Sequence, residues 1–318
     1  MNTFSVHSLA RKCFAAALFI FTLTNQVMAQ LPKVACGSIQ RLEKFPSKFV
    51  DPRNVDIWLP EGYSPNKKYA VLYMHDGQAL FDSTLMWNHQ EWGVDETMCR
   101  LLAAKKIQDC IVVGIWNNGL KRFPEYFPQK AFCSLTPAQQ EKILDIGRDK
   151  GTPLMGNGPV SDNYLKFIIQ ELKPYIDSHY STFTDQQHTF TAGSSMGGLI
   201  SMYAICEYPQ VFGGAACLST HWPGTFETSG NPVPAAFLQY LKTHLPSPKD
   251  HKIYFDHGTK TLDAQYKPFQ DQADAIMKAA GYTEKNWISR VYPGADHSEN
   301  SWRKRLDVPL LFLLSVHN

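Results

Sequence analysis

One serine of the chain stands between two glycines in a pattern that favours nucleophilic catalysis. Residues 191–198 read TAGSSMGG, in which Gly193, Ser195 and Gly197 give the spacing G-x-S-x-G. On a sharp turn from a strand into a helix, a serine at the centre of this spacing exposes its hydroxyl to an acyl carbon. The flanking glycines lack side-chain bulk, so strand and helix can approach each other. Ser195 is therefore the predicted nucleophile, and the alternative is a glycine-rich turn with a capping serine.

A serine hydroxyl is a weak nucleophile until a base removes its proton, and a histidine is the expected base. In strand–turn–helix nucleophiles of this kind the chain order is serine, then acid, then histidine. His297 follows the last predicted strand through the turn at residues 293–296, so it can point over the strand ends. We predict His297 as the base. His221 follows a middle strand and is a second histidine that could line the pocket.

The third member of such a group is a carboxylate that orients the histidine. Asp256 ends the predicted strand at residues 252–255, and Asp263 lies in the loop beyond it. A loop residue can reach across to a histidine more easily than a strand-end residue, so Asp263 is favoured over Asp256. A serine–histidine pair without a carboxylate stays open as the third arrangement.

The negative charge that develops on the attacked carbonyl oxygen needs two N–H donors. The residue after the nucleophile supplies one in this architecture, which here is the backbone of Met196. The second is expected from the loop that follows the strand at residues 69–74, where Gly77 permits a close turn. The Gln78 backbone N–H is the predicted second donor, although a simple strand-exit turn would use the same residues.

Strands and helices alternate along the rest of the chain, which predicts a mostly parallel sheet covered by helices on both faces. No linker divides residues 30–318, so a single α/β domain is expected. Residues 127–159 are the least regular stretch and suggest a lid or a substrate-facing insertion. The predicted strands are residues 54–59, 69–74, 111–116, 189–192, 213–218, 252–255 and 287–292. The predicted helices are residues 96–106, 162–179, 196–208, 235–244 and 270–280, with a C-terminal helix after His297.

Composition and charge exclude several classes of protein. The chain has 318 residues, of which 44% are hydrophobic and 19% charged, which is too apolar for a disordered chain. Residues 30–318 carry 29 basic and 29 acidic side chains, so their formal net charge is zero. A general electrostatic attraction to nucleic acid or to an acidic membrane surface is therefore not expected.

Residues 1–29 have the features of a secretory signal peptide. Arg11 and Lys12 precede an apolar run at residues 14–24, and small residues allow a cut after Ala29. The alternative, a transmembrane anchor, would need about 20 apolar residues. We expect export to the periplasm or the medium, with no stable membrane insertion after cleavage. Six cysteines remain beyond the leader, and some disulfides with some buried free thiols are expected.

Taken together, these motifs resemble those of an esterase family in the α/β-hydrolase superfamily. That family includes esterase D, enterochelin-type siderophore esterases and feruloyl esterases. The resemblance spans most of residues 50–315. The matching segments read VDIWLPEGY, YAVLYMHDGQALFD, IVVGIWN, RFPEYFP, FTAGSSMGGLISMYA and GADHSENSWRKRL.

The resemblance implies an α/β-hydrolase fold and hydrolysis of carboxylic esters without a cofactor or a metal. It carries the nucleophile role to Ser195, the base role to His297, and oxyanion donation to the Gln78 and Met196 backbones. Many relatives place the carboxylate where this chain has Thr261, so the acid departs from the common pattern.

The substrate is expected to be a small-molecule or carbohydrate-linked ester, such as a siderophore-type, feruloyl, acetyl or short acyl ester. Arg122 and Trp222 are the predicted substrate-binding residues, with Arg122 also able to form a structural ion pair with Glu125. Trp87, Trp92, Trp116 and Trp302 are further candidates for the pocket wall. Two other functions stay open: an acyltransferase with the same catalytic residues, and a non-catalytic ligand-binding protein on a hydrolase scaffold.

Overall fold

The computed structural model describes residues 30–149, 151–227 and 229–316. The predicted signal peptide lies outside the described residues. From Leu31 onward the described residues form one compact unit. Within these residues no helix combines the length and the apolar character needed to cross a bilayer.

The described residues form an eight-stranded sheet with the strand order β1-β2-β4-β3-β7-β8-β9-β10. β2 runs antiparallel to both β1 and β4, and the other neighbouring pairs are parallel. A separate two-stranded hairpin pairs β5 with β6. The strands are β1 (Ser38–Phe45), β2 (Arg53–Leu59), β3 (Ala70–His75), β4 (Cys110–Ile115), β5 (Gly147–Asp149), β6 (Thr152–Pro153), β7 (Thr189–Ser194), β8 (Gly214–Leu218), β9 (Lys252–His257) and β10 (Trp287–Val291).

Helices cover the sheet, as expected when parallel strands are joined by crossover connections. The long helix predicted at residues 162–179 consists of two α-helical pieces, α5 and α6, with a π-helical segment, Phe167–Leu172, between them. The α-helices are α1 (Val94–Ala103), α2 (Arg122–Tyr126), α3 (Gln129–Cys133), α4 (Pro137–Leu144), α5 (Ser161–Lys166), α6 (Lys173–His179), α7 (Met196–Glu207), α8 (Val233–His244), α9 (Lys267–Ala279), α10 (Glu299–Arg303) and α11 (Asp307–Leu314).

The core has two layers, one on each face of the sheet, because successive strand residues point to opposite faces. On β3, Val71 and Tyr73 belong to one apolar cluster, whereas Leu72 and Met74 belong to the other. This arrangement explains why β3 and β4 are continuous apolar runs: both of their faces are buried. The α/β-hydrolase fold expected from the sequence is confirmed.

The seven predicted strands are all present, with bounds that shift by up to two residues. The sequence did not predict β1, an edge strand whose register shifts between Leu42 and Phe45, so its alternation of buried and exposed residues is irregular. Cys36 and Cys99 form a disulfide, and Cys110, Cys206 and Cys217 are buried free thiols. The mixture of disulfide and free thiols expected from the sequence is therefore confirmed.

Candidate active site

Ser195 occupies a sharp turn between β7 and α7. Its backbone has φ 58° and ψ −121°, a conformation that L-residues adopt only when the surroundings enforce it. A Cβ added to Gly193 would lie 2.7 Å from the carbonyl carbon of Gly197, so a side chain cannot fit there. The Ser195 N–H donates to the carbonyl of Leu218 at 3.0 Å, which ties the turn to the neighbouring strand β8. The turn thus presents Ser195 at the N-terminal end of α7.

The loop after β3 lies against the start of α7. Asp76 adopts the left-handed conformation, with φ 58° and ψ 43°, and leads into a short turn at Gly77–Ala79. A Cβ on Gly77 would come within 2.4 Å of the Gly114 carbonyl carbon, so this position requires glycine. A Cβ on Gly197 would lie 3.3 Å from Asp76 Oδ2, which shows how closely loop and helix approach. The N–H groups of Gln78 and Met196 lie in the first turns of their helices, where the helix itself supplies no acceptor.

His297 and Asp263 meet at the carboxyl end of the sheet. His297 follows β10, and Asp263 lies in a short 3-10 turn, Thr261–Gln265, that follows β9. Asp263 Oδ1 lies 2.5 Å from His297 Nδ1, and the aspartate side chain is fully buried. The Thr261 hydroxyl accepts the His297 backbone N–H at 2.8 Å. Thr261 therefore anchors the loop that bears His297, and the carboxylate two residues later reaches the imidazole.

The second oxygen of Asp263 accepts two further hydrogen bonds. The Gly258 N–H donates to Oδ2 at 2.5 Å, and the Ser219 hydroxyl donates to it at 2.6 Å. Burial by itself would raise the pKa of Asp263, but the hydrogen bonds from His297, Ser219 and Gly258 outweigh it and hold that pKa below its ordinary value. Asp263 is consequently an ionised, fixed carboxylate at neutral pH.

Asp256 has a different set of partners. Arg305 binds it through two hydrogen bonds, Nε to Oδ2 at 3.0 Å and Nη2 to Oδ1 at 2.9 Å. The Tyr254 hydroxyl and the Ser219 N–H also donate to this carboxylate. Burial raises the pKa of Asp256, and the Arg305 guanidinium opposes that rise. The structure thus places Asp263, and not Asp256, against His297.

A tyrosine that the sequence analysis did not single out lies beside both Ser195 and His297. The Tyr266 phenol lies near the Ser195 side chain, and its ring packs edge-on to the His297 imidazole with centroids 5.8 Å apart. His221 Nδ1 lies 2.7 Å from the same phenol oxygen. Burial, aided by the neighbouring His297 and Arg122, lowers the pKa of His221 to about 3, so the His221 imidazole is neutral at pH 7. Tyr266 follows Asp263 by three residues, which was the available signal.

Arg122 forms an ion pair within the site. Its guanidinium binds Asp76 through two hydrogen bonds of 2.7 Å, and only 23% of its side chain is exposed. The expectation that Arg122 pairs with Glu125 is wrong, because Glu125 instead pairs with Arg53 through bonds of 2.7 and 2.8 Å. Arg122 thereby fixes the loop that carries Gln78. Because two of its N–H donors bind Asp76, fewer donors are available to bind a substrate.

Trp222 lies in the core and not on a pocket wall, contrary to its prediction as a substrate-binding residue. It is fully buried, and its indole donates to Gln270 Oε1 at 3.0 Å. It follows β8 and turns inward to pack on Phe255. Trp92 and Trp302 are also buried, whereas Trp87 is 88% exposed.

The insertion at residues 127–159 is held to the main core at several points. Phe127, Phe132, Ile143, Leu154 and Met155 are all buried members of the larger apolar cluster. On β5, the Arg148 guanidinium lies 5.6 Å from the ring centroid of Phe123, and that ring in turn packs edge-on to His221. The insertion therefore reaches the surroundings of the site through Phe123.

The sequence was compared with models of known protein families and with known proteins. The Esterase family model, described as "Putative esterase", matches residues 47–313. The chain is 23% identical over 261 residues to the uncharacterized protein YbbA of Bacillus subtilis, covering 80% of this chain and 89% of YbbA. It is also 23% identical over 290 residues to an endo-1,4-beta-xylanase/feruloyl esterase of Xylanibacter ruminicola, covering 85% of this chain but 30% of that protein.

Among solved structures, an IroE-like serine hydrolase from Shewanella oneidensis superposes with a TM-score of 0.61 at 21% sequence identity. The match covers 87% of this chain and 80% of that one. At this identity the similarity establishes a shared fold. Because the family model spans most of the described sequence, the chain belongs to the Esterase family and is a carboxylic-ester hydrolase of the α/β-hydrolase fold.

Proposed function

We propose that the enzyme cleaves esters through a Ser195–His297–Asp263 triad and a covalent acyl-enzyme. The observation that carries this proposal is the 2.5 Å contact between His297 Nδ1 and Asp263 Oδ1. That contact lies at the end of the sheet where Ser195 stands on its strained turn, and the ring of Tyr266 borders both Ser195 and His297. The chain order serine, acid, histidine agrees with this assignment.

In the first half of the reaction, the Ser195 hydroxyl oxygen bonds to the carbonyl carbon of the ester while His297 Nε2 takes the hydroxyl proton. The ester C–O bond then breaks, and the imidazolium returns that proton to the departing alkoxide, which leaves as an alcohol. The backbone N–H groups of Gln78 and Met196 would stabilise the oxyanion of the tetrahedral intermediate.

In the second half, water attacks the acyl carbon and His297 accepts one of its protons. The bond between the acyl carbon and the Ser195 oxygen breaks, the proton returns to serine, and the carboxylic acid is released. Asp263 remains ionised throughout. It keeps the proton of the imidazole on Nδ1 and stabilises the imidazolium that forms in each half-reaction.

We propose esters of small molecules or of carbohydrates as substrates, and a substrate-facing role for the insertion at residues 127–159. The similarity to a protein named as an endo-1,4-beta-xylanase/feruloyl esterase supports the first proposal. The contact chain from Arg148 through Phe123 to His221 supports the second.

Export to an oxidising compartment is also part of the proposal. The Cys36–Cys99 disulfide supports it, since such bonds persist mainly outside the cytosol. The test is to produce the full chain in a bacterial host and to determine the molecular mass of the exported protein by mass spectrometry. Loss of residues 1–29 is the expected result, and retention of the leader on a cytosolic protein contradicts it.

The test of the triad is hydrolysis of p-nitrophenyl acetate by residues 30–318. Ser195→Ala should lower kcat/KM by about 10⁴-fold or more and abolish labelling by a fluorophosphonate. Ser194→Ala is the matched control, because Ser194 is the adjacent, buried serine on β7 and should keep near-normal activity. Equal activity of the wild type and Ser195→Ala would remove Ser195 from the mechanism.

A further inference from the structure

Asp76 places a carboxylate between the two segments that carry the proposed oxyanion donors. On one side it precedes Gln78 by two positions, on the loop after β3. On the other side, a Cβ built on Gly197, the residue after Met196, would lie 3.3 Å from Asp76 Oδ2. Only 15% of the Asp76 side chain is exposed, so water and salt screen its charge weakly. Left unbalanced, this carboxylate would repel the negative charge that forms on a substrate carbonyl oxygen.

Arg122 supplies the compensating charge. Its Nε donates to Asp76 Oδ1 and its Nη2 donates to Asp76 Oδ2, each at 2.7 Å. Asn117 Nδ2 adds a hydrogen bond to Oδ1 at 2.8 Å. Burial by itself would raise the pKa of Asp76, but the guanidinium and the Asn117 amide outweigh it and hold that pKa below its ordinary value. Asp76 is therefore an anion at neutral pH, and Arg122 is the cation that offsets it.

The charge of Arg122 is felt beside the nucleophile. Besides burial and His297, Arg122 lowers the pKa of His221. The His221 backbone N–H donates to the Ser195 carbonyl oxygen at 3.2 Å, so the two residues are in direct contact. Glu299, two positions after His297, also interacts electrostatically with the guanidinium. Because this guanidinium influences the surroundings of Ser195, removing either charge of its pair with Asp76 should change the electric field there.

We propose that Arg122 is a positioning residue that acts through Asp76. It neutralises the carboxylate that braces the loop after β3, so that the brace does not oppose the oxyanion of the transition state. This inference rests on the proposed function. If Arg122 and Asp76 were only a structural link, removing either one would be equally harmful. If charge balance matters, the harmful state is the carboxylate without its guanidinium.

The experiment is a double-mutant cycle with p-nitrophenyl acetate, in which kcat is expressed per folded molecule. Arg122→Gln leaves the Asp76 carboxylate unbalanced, so kcat should fall about 10²-fold. KM should change less than about threefold, because the neutral ester carries no charge before the transition state. The double variant Asp76→Asn/Arg122→Gln should recover at least about tenfold of the lost kcat, although both bonds of the brace are gone.

The single variant Asp76→Asn removes the charge but keeps the backbone. Residue 76 has the left-handed conformation, which asparagine adopts more readily than most other residues. Its kcat should therefore stay within about tenfold of the wild type. Arg122→Lys is a second test, and the one to use if Arg122→Gln does not fold. An ammonium keeps the charge but not the two-pronged contact, so this variant should retain more than about a tenth of the wild-type kcat.

Lys173→Gln is the matched control. Lys173 Nζ donates to Asp177 Oδ2 at 2.7 Å within α6, and exposures of 10% and 18% make this pair about as buried as the pair under test. Asp177 also accepts the Thr182 hydroxyl, and Thr182 pairs with Tyr69 just before β3 begins. The control pair thus lies at the opposite end of β3 from Asp76, and its loss should leave kcat per folded molecule unchanged.

A second measurement does not depend on turnover. Phenylboronic acid forms a B–O bond to Ser195 while the serine proton passes to His297, which leaves a tetrahedral anion in the place of the transition state. Its dissociation constant should rise in Arg122→Gln by about the factor by which kcat falls, and it should recover in the double variant.

Three results would overturn the proposal while the triad stands: a wild-type kcat in Arg122→Gln, a double variant no more active than Arg122→Gln, or an Asp76→Asn variant as impaired as Arg122→Gln. An Arg122→Lys variant with less than about a hundredth of the wild-type kcat would do the same. Failure of the wild type to hydrolyse p-nitrophenyl acetate would instead overturn the proposed function.

Discussion

Two aspartates lie seven positions apart near the end of β9, and the structure treats them in opposite ways. Asp263 faces a histidine that is 12% exposed at the surface of the site. Asp256 faces Arg305, and both of those side chains are almost wholly buried, with exposures of 0% and 3%. One carboxylate therefore meets a group that can gain and lose a proton, whereas the other meets a permanently charged guanidinium.

The difference follows from where each aspartate lies relative to the end of β9. Asp256 is still part of β9, so its side chain is confined to the interior, where an arginine must neutralise it. Asp263 lies beyond the strand, on a turn that brings it back over the sheet to the imidazole. The two groups are linked, because the Ser219 hydroxyl donates to Asp263 while its N–H donates to Asp256.

Among the substitutions that test this comparison, Asp263→Asn should have the largest effect, which is a loss of kcat. An amide keeps the shape of the side chain but does not stabilise an imidazolium, so kcat should fall by about 10³–10⁴-fold. The measurement is p-nitrophenyl acetate hydrolysis together with thermal unfolding, which should change little. A variant that retains more than a tenth of the wild-type kcat would show that Asp263 is not the acid of the triad.

Asp256→Asn should damage stability instead of chemistry. The amide NH₂ places a donor against the buried Arg305 guanidinium where a carboxylate oxygen now accepts, and breaking such a buried pair costs about 3–5 kcal/mol of the free energy of unfolding. Urea unfolding at pH 7 measures the loss, and kcat per folded molecule should stay within about threefold of wild type. A stable but inactive Asp256→Asn protein would reverse the roles that we assign to the two aspartates.

Ser219→Ala should have smaller effects, but it should lower both the free energy of unfolding and kcat. Besides donating to Asp263, the Ser219 hydroxyl accepts hydrogen bonds from Trp302 Nε1 and Arg305 Nη2, each at 2.9 Å. Leaving these buried donors unsatisfied should cost about 1–3 kcal/mol, and kcat should fall about tenfold as Asp263 loosens. Ser289→Ala, a half-buried serine on β10, is a matched control. Loss of stability with an unchanged kcat would show that the two aspartates are independent.

The smallest effect is the pH dependence of stability, which should have opposite signs for the two groups. The pKa of Asp263 is lowered, so its charge stabilises the fold above the unfolded pKa of 3.8, and that contribution disappears as pH falls through the folded pKa. The pKa of Asp256 is raised, so the folded state binds its proton more tightly and stability increases as pH falls toward 3.8. Urea unfolding of the wild type and both Asn variants between pH 3 and 6 should show these opposite slopes, and slopes of one sign would contradict the pKa directions.

The sequence predicted the sheet and the residues that the structure gathers around Ser195. The apolar runs of β3 and β4 and the glycines at 193 and 197 are local signals, and they constrain local geometry. Chain order then pointed to His297, and the reach of a loop favoured Asp263 over Asp256. The catalytic roles of these residues stay predictions that the variants above test.

What the sequence left out depends on contacts between distant parts of the chain. Arg122 pairs with Asp76 across 46 positions, and Arg305 with Asp256 across 49, so no local pattern reveals either pair. The prediction that Trp222 binds substrate was wrong for a similar reason. A tryptophan that follows a strand end can turn toward the pocket or toward the core, and the local sequence does not distinguish the two. Tyr266 was overlooked because its only signal in the sequence was its position three residues after Asp263.

The Ser219 oxygen has a consequence for how this enzyme can change over generations. One atom serves both the acid of the proposed triad and the buried ion pair, so a substitution that shifts it alters folding and turnover in the same step. A carboxylate at another position, for example 261, could therefore replace Asp263 only in a variant that is stable enough to tolerate a weaker Arg305–Asp256 pair. Variants stabilised elsewhere in the molecule should accept such relocations first, and the order in which mutations arise would decide which lineages reach them.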